Sequence, residues 1–472
     1  VFPEPVSLYA RWRAPAAPAV LRETAAGPPP ERLLQAVWQQ QRLQRDRLRT
    51  LDGQPLRVLH PGFWNHEAGP DFREAVIQIG AEPPRVGDVE IDLTSANWRG
   101  HAHQDNPAYR RVILHVVWNE TKPASLTTLA LEPFLDAPLA ELAHWLGGET
   151  VRALPAALAG QCAAPLKELS PEKINQLLDQ AAFVRLHAKA AQFQARARQA
   201  GWEPALWEGL FRALGYKQNV WPMQRVAELL PQLAEAGQPP LWWQARLLGV
   251  SGLLPAELTR TQRAADDYLR RVWDAWWRER ERFSDVLLPR AVWRFHGLRP
   301  ANHPQRRLAL AAHWLAGGGL PARLEKWLSA RVADGELACS LLEVLAAGPE
   351  DFWSWHWTLR SARMKAPQPL LGAARVTDLA VNVILPWLWL RAAASRNETL
   401  RRTAEHRLRA WPAGEDNAVL KLARQRLLGG GARRLPVTAA TQQGLLQIVR
   451  DFCDHSNALC EQCRFPELVR AL

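Results

Sequence analysis

The spacing of apolar residues changes period along the chain. Over 31–50, Leu33, Leu34, Val37, Trp38, Leu43 and Leu48 recur at helical spacing, which predicts an amphipathic helix broken by Asp52-Gly53. Strand signals follow at 56–59, before Pro61-Gly62, and at 74–79, closed by Gly80. Over 88–93, Val89, Ile91 and Leu93 alternate with Asp88, Glu90 and Asp92, so a strand there puts all three carboxylates on one face. A short helix near 107–111 precedes the β-branched stretch 112–118. The order helix–strand–strand–strand–short helix–strand predicts an α+β core with one small mixed sheet.

Beyond residue 165 the period is helical. Ser170-Pro171 is an N-cap and first-turn pair; Phe183, Leu186, Ala190, Phe193 and Ala197 line one face, and Gly201 ends the segment. Similar segments reach about residue 450, punctuated by Gly215, Pro239-Pro240, Pro300, Gly317-Gly318-Gly319, Pro386 and Gly429-Gly430-Gly431. No fixed repeat length appears, so a large irregular helical domain is expected rather than a solenoid. The expected division is a Pro/Ala-rich lead-in over 1–30, the α+β core over 31–120, a connector over 121–165, a basic helical domain over 166–450 and a cysteine-rich clip over 451–472. The longest apolar run, 379–390, contains Asn382 and Pro386 and is short for a bilayer, and 1–30 lacks an apolar signal core. A soluble, cytoplasmic chain without a membrane partner is the expectation.

Composition adds a partner class. The 472 residues are 47% hydrophobic and 22% charged, as in a folded globular protein, and the 23 tryptophans are expected mainly in cores. Net charge is +12, divided unevenly: residues 1–150 carry −3 and the remainder +15. A basic body attached to an acidic segment favours nucleic acid, DNA ahead of RNA. Only 8 of the 59 basic residues are lysine, so GC-rich codon usage accounts for part of the excess. Five cysteines, three near the end, do not form the even framework of a secreted domain.

Pro70-Asp71 followed by Glu90-Ile91-Asp92 resembles the pattern of the PD-(D/E)xK restriction-endonuclease-like superfamily. That resemblance implies Asp71 and Glu90 as ligands of Mg²⁺ or Mn²⁺ and phosphodiester hydrolysis as the reaction. The chain departs from it at position 92, where aspartate stands in place of lysine; Lys122 is the only lysine nearby in sequence. A solvated acidic strand is the plain alternative.

Three further groups carry candidate chemistry. His101 and His103, two apart, point the same way in extended backbone and suit a shared metal or proton transfer, with His60, His66, Asp105 and His115 as possible partners; His115, inside an apolar strand, reads first as a core histidine. Cys453, Cys460 and Cys463 have metal-ligand spacing, with Cys162 or His455 as fourth ligand to zinc or an iron–sulfur cluster. Arg299, Arg306 and Arg307, with Lys217 of the segment 214–219, are candidates for phosphate contact, against the blander reading of a charged helix start.

The blocks Leu59-His-Pro-Gly-x-Trp-Asn65, Gly69-Pro-Asp-Phe72, Gly87-Asp-Val-Glu-Ile91, Trp98 with His101-x-His103, Val112-Ile-Leu-His-Val-Val117, Leu214-Gly-Tyr-Lys-Gln-Asn219, Arg299-Pro-x-Asn302, Asn382-Val-Ile-Leu-Pro386 and the terminal cysteines together resemble the uncharacterised bacterial domain-of-unknown-function family 2851. The resemblance runs from about residue 31 across most of the chain and implies no established activity. Its pattern has histidine where this chain has Asp92, so a lysine there is not part of it. The combined expectation is a metal-dependent nuclease-like protein. A non-catalytic nucleic-acid binder on the same core is the first alternative, and a histidine/carboxylate hydrolase of a small substrate the second.

Overall fold

The computed structural model describes residues 7–13, 29–65, 69–96, 98, 106–120, 126–146, 160–235, 237–258, 267–348, 352–429, 437–453, 460 and 463–472. Its N-terminal part is a mixed sheet whose strands run in the order β1 (Leu56–His60), β3 (Phe72–Ile79), β4 (Arg85–Asp92), β5 (Val112–Val117) and β6 (Thr128–Ala130), with β2 (Phe63–Trp64) paired to β3. β1, β2, β3 and β4 pair antiparallel, whereas β4–β5 and β5–β6 are parallel. The parallel step is tight. A Cβ on Gly87 would meet Ile113 Cγ2 at 2.4 Å and the Arg111 carbonyl oxygen at 2.7 Å, so only glycine lets β5 approach there.

After the short helix α1 (Leu8–Arg13), helix α2 (Glu31–Gln40) buries Leu33, Leu34, Val37 and Trp38 against Val58, Phe72, Ile77, Val89, Ile91, Leu114 and Val116. It is ten residues shorter than its apolar period predicts, because Gln41 turns left-handed (φ 49°) and Leu43 then bridges to Leu135. The sheet also exceeds the predicted core: β6 and the helix Leu139–Leu146, both beyond residue 120, contribute Leu129, Leu142 and Leu146 to the same interior. The opposite face is not left to solvent. Leu59 and Val76 join the large apolar cluster of the helical body, so β1 and β3 are packed on both sides.

The helical body follows its sequence signals closely. Ser170 caps the helix Pro171–Ala200 by accepting from the Lys173 N–H, and Gly201 (φ 92°) ends it. The run containing Asn382 and Pro386 is longer than it reads: Ala373–Ala394 is one helix of 22 residues, with a π-turn at Ala380–Ile384 that widens the backbone ahead of the proline. It is long and apolar enough to cross a membrane, but 78% of its apolar window is buried inside the protein, as a core helix. Tryptophans fill the interior, and their indole N–H groups find acceptors: Trp314 donates to the Leu345 carbonyl at 2.8 Å and Trp293 to that of Ser251 at 2.7 Å.

Arginine is used in the interior as well. Among the described residues eight arginines are buried, including Arg246, Arg306, Arg307, Arg407 and Arg426. Arg306 is 1% exposed; it donates to the carbonyls of Trp353, His356, Gln368 and Pro369. Those residues lie in an irregular stretch with few ladder partners of its own, so one guanidinium organises the loop. Arg407 likewise closes the C-terminus of the helix Leu320–Ser329, donating to Trp327 and Ala330 carbonyls at 3.0 and 2.8 Å.

Replacing Arg306 by methionine should therefore lower unfolding stability by about 3 kcal/mol, since the buried Trp353 carbonyl and three less buried ones lose their donor together. Arg299→Met, at a side chain 80% exposed, should stay within about 0.5 kcal/mol of the parent. Denaturant midpoints measure both, and equal midpoints for the two variants would refute the role given to Arg306.

Candidate carboxylate site

The site begins with a fault in the sheet. Between Phe72, opposite Val89, and Ala75, opposite Gly87, β3 holds one residue too many, and Glu74 takes the left-handed conformation (φ 58°). Asp88 accepts the Glu74 N–H at 3.0 Å. This residue of the acidic strand serves the backbone.

Beyond the bulge the two candidate ligands clasp each other's strands. Glu90 accepts the Asp71 N–H at 3.0 Å, and Asp71 accepts the Ile91 N–H at 3.0 Å. Helix α2 presents Glu31 and Gln35, one turn apart, to the same place: the Gln35 side-chain amide donates to Asp71 at 2.9 Å and to Glu31 at 3.2 Å. Burial, reinforced by the charges of Glu31 and Asp92 and opposed by the bonds from Ile91 and Gln35, raises Asp71 to about 7. Burial, followed by the charges of Asp71, Asp92 and Glu31, raises Glu90 to about 9. Tyr109 is pushed up to about 12 by burial and the same three carboxylates, Glu90, Asp71 and Asp92, so its hydroxyl shares their field.

Asp92 is nearly fully buried and bonded to His115, with Nε2 2.9 Å from its carboxylate oxygen. Trp98 packs on the imidazole at 5.4 Å, and Tyr109 meets Trp98 edge-on at 5.9 Å. The acidic face is thus interior, not solvated: Asp88, Glu90 and Asp92 are all buried. His115 is a core histidine with a carboxylate partner. Gln35, Glu31 and Tyr109 are members that sequence reasoning missed; the i, i+4 spacing of Glu31 and Gln35 was the available signal.

Other candidates lie elsewhere. His60 accepts the Gly62 N–H through Nδ1 at 3.0 Å; burial and Arg294 hold it near 4, so it is a neutral turn residue at neutral pH. His66, His101, His103, Asp105, Lys122 and His455 lie outside the described residues. Arg306 and Arg307 are corrected from phosphate contacts to internal ties: Arg307 donates to the Leu370 carbonyl, the Tyr216 hydroxyl and Asn302. Arg299 and Lys217 are exposed. Asn219 of the segment 214–219 acts on the site indirectly. Its side-chain amide exchanges two 2.8 Å bonds with the Arg294 backbone, and the Arg294 guanidinium pairs with Glu74 and lies over Phe63 at 4.9 Å.

Among the described residues no three His, Cys, Asp or Glu side chains form a ready-made site for a single metal ion. The carboxylate pair offers two ligands, with Asp92 behind them. A separate cavity of about 320 Å³ lies between the sheet domain and the helical body, lined in part by Arg42, Arg45, Lys189, Arg196, Arg212 and Glu208. Arg42, Arg45 and Arg196 are matched by Asp136, Glu228 and Glu208, and Lys189 is held by Asn382 and Gln443.

The raised Glu90 has a testable sign. Unfolded glutamate loses its proton near 4.5, the buried group only near 9. Between those values the folded state holds the extra proton, so stability falls as pH rises. Glu90→Gln keeps an acceptor for the Asp71 N–H without the charge. Its melting temperature in chelator should match the parent at pH 4.5 and exceed it increasingly from pH 5 to 9. A constant offset across that range would contradict the assignment.

Residues 31–417 match the family model described as Protein of unknown function (DUF2851). No curated protein and no solved structure matches the chain. The matched span takes in the sheet, the carboxylate site and Cys162, and ends before Cys453. On this match over most of its length, the chain belongs to the Protein of unknown function (DUF2851) family.

Proposed function

We propose that this chain is a metal-dependent phosphodiesterase of nuclease type acting on nucleic acid, its site built on Asp71 and Glu90. The observation that carries the reading is the reciprocal clasp by which Glu90 accepts the Asp71 N–H and Asp71 accepts the Ile91 N–H, with both carboxyls raised above their ordinary range. Two carboxyls held protonated by burial would release their protons to a divalent cation, whose charge would then offset that of the carboxylates. Mg²⁺ or Mn²⁺ suits an all-oxygen ligand set, and when bound it would supply Lewis acidity toward a phosphoryl oxygen. Gln35 and the Ile91 N–H orient the Asp71 carboxylate, and the Asp71 N–H orients Glu90. Tyr109 stands beside them with a hydroxyl that keeps its proton at neutral pH and can donate it in a hydrogen bond. Contact with the nucleic-acid backbone falls to exposed groups such as Arg299 and Lys217. The likeness to the PD-(D/E)xK superfamily in motif order and in the sequence of elements supports the same reading.

A second reading, a nucleic-acid binder without turnover, draws on Asp92. Its carboxylate is committed to His115, and aspartate stands at position 92 where the motif has lysine.

Incubation with supercoiled plasmid and single-stranded DNA in Mn²⁺ separates the two. The parent should cleave, whereas Asp71→Asn and Glu90→Gln should not. Saturating Mn²⁺ should also stabilise the parent, by about 2.7 kcal/mol at a hundredfold excess over Kd, and leave Glu90→Gln unmoved. Gel retardation without cleavage would sink the nuclease reading and leave the binder; neither retardation nor cleavage would remove both.

A further inference from the structure

Cysteines from distant parts of the sequence approach one apolar cluster, without three of them forming a ready-made metal site among the described residues. Cys162 precedes the helix Ala163–Glu168; Cys453 ends the helix that begins at Ala439; Cys460 and Cys463 precede the helix Phe465–Arg470. Cys162 and Cys453 share one apolar cluster, and Cys463 packs against it. Cys162, Cys453 and Cys460 are buried, whereas the fifth cysteine, Cys339, is exposed.

The backbone around the thiols is shaped to bring them in. Cys460 adopts a left-handed conformation (φ 59°), rare for a residue with a Cβ, and the Cys463 N–H donates to the Cys460 carbonyl at 3.2 Å. Cys460 and Cys463 are thereby tied backbone to backbone. Cys453 lies in a π-turn, Val449–Cys453, which offsets its side chain from the regular helical position. On the other side the Gly160 N–H donates to the Arg426 carbonyl at 2.8 Å, and a Cβ on Gly160 would lie 2.9 Å from that oxygen and 3.3 Å from Cys162 Sγ. Arg426 itself is buried, with Nη2 3.5 Å from Cys460 Sγ.

We propose that Cys162, Cys453, Cys460 and Cys463 bind one thiolate-ligated metal centre, a zinc ion or an iron–sulfur cluster, which staples the segment after the sheet domain to the C-terminal helix. On binding, each ligating thiol loses its proton to solvent and forms one sulfur–metal bond, with no change in oxidation state. Four thiolates around Zn²⁺, or around a preassembled cluster, leave net negative charge, which the Arg426 guanidinium offsets. Zinc needs the four sulfurs drawn to about 2.3 Å from one point. A cluster brings its own iron and sulfide framework and spans a wider gap. The inference is independent of the carboxylate site and of any activity there.

The full chain, purified without oxygen, is analysed for zinc, iron and acid-labile sulfide. The expected result is about one centre per chain, either zinc alone or iron with matching sulfide and a visible charge-transfer band. Cys339→Ser should retain it; Cys162→Ser and Cys460→Ser should each lower metal content or affinity by about tenfold or more. A Cys162→Ser protein with parental metal content overturns the four-thiol assignment. So does a parent that takes up neither Zn²⁺ nor a cluster reconstituted from ferrous iron and sulfide. Because the variants can fail for reasons of folding, thiols are also counted in the unsubstituted native protein. Reactive thiols should rise from one to all five when a chelator removes the metal, and five reactive thiols before chelation would refute the centre.

Discussion

The helical body depends on guanidinium groups buried against backbone carbonyls. Helix ends and irregular loops leave carbonyl oxygens without intrasegment donors, and burying them unpaired is costly. A protein with few lysines and many arginines has a suitable donor: a planar group with five N–H bonds that stays protonated and can serve several acceptors at once. Arg306 ties together four carbonyls of the stretch 353–369, Arg407 closes one helix, and Arg246 joins the Leu233 carbonyl to Glu235 and Glu279. Indole faces complete the arrangement: Arg246 lies 3.5 Å from the Trp242 ring centroid and Arg407 4.1 Å from that of Trp327.

This use of arginine changes the meaning of the charge. A net +12 suggests a polyanion partner only if the charges face outward. Here a group of arginines is spent inside, two of them from the segment that most resembled a phosphate-binding turn. The basic excess is in part a property of the core. A nucleic-acid surface, where present, is made from the exposed remainder.

The carboxylate site rests on a different constraint, the change from antiparallel to parallel pairing at β4. That strand has Phe72 opposite Val89 on one side and His115 opposite Glu90 on the other. Its acidic side is therefore covered, by Asp71 across one edge and by His115, Trp98 and Tyr109 across the other. The β3 bulge and Asp88 absorb the register fault; without them Asp71 would not sit where its carboxylate reaches the Ile91 amide. Helix α2 then adds Gln35 and Glu31 because its apolar face is committed to the sheet, which turns those two polar positions toward Asp71. Burial, with the neighbouring carboxylates behind it, is what makes the pair costly to ionise.

Local pattern alone determined the types of the elements read over 31–118 and 170–201, the Ser170 cap, the order Asp71–Glu90–Asp92 and the cysteine spacing. Each follows from neighbours in sequence, through periodicity, capping chemistry or turn residues. Helix α2 was read too long because the apolar period continues past the point where Gln41 turns left-handed and Leu43 leaves to meet Leu135, a contact more than ninety residues away. The sheet was read too short because β6 is only three residues long and takes its stability from β5. Alternation placed Asp88, Glu90 and Asp92 on one face but could not say whether water or protein covers it; that depends on β5 and Trp98. Nor could composition tell an arginine that faces solvent from one that ties a loop. Burial and pairing at long range are decided by the tertiary structure, because the partner that satisfies or charges a group is seldom its neighbour along the chain.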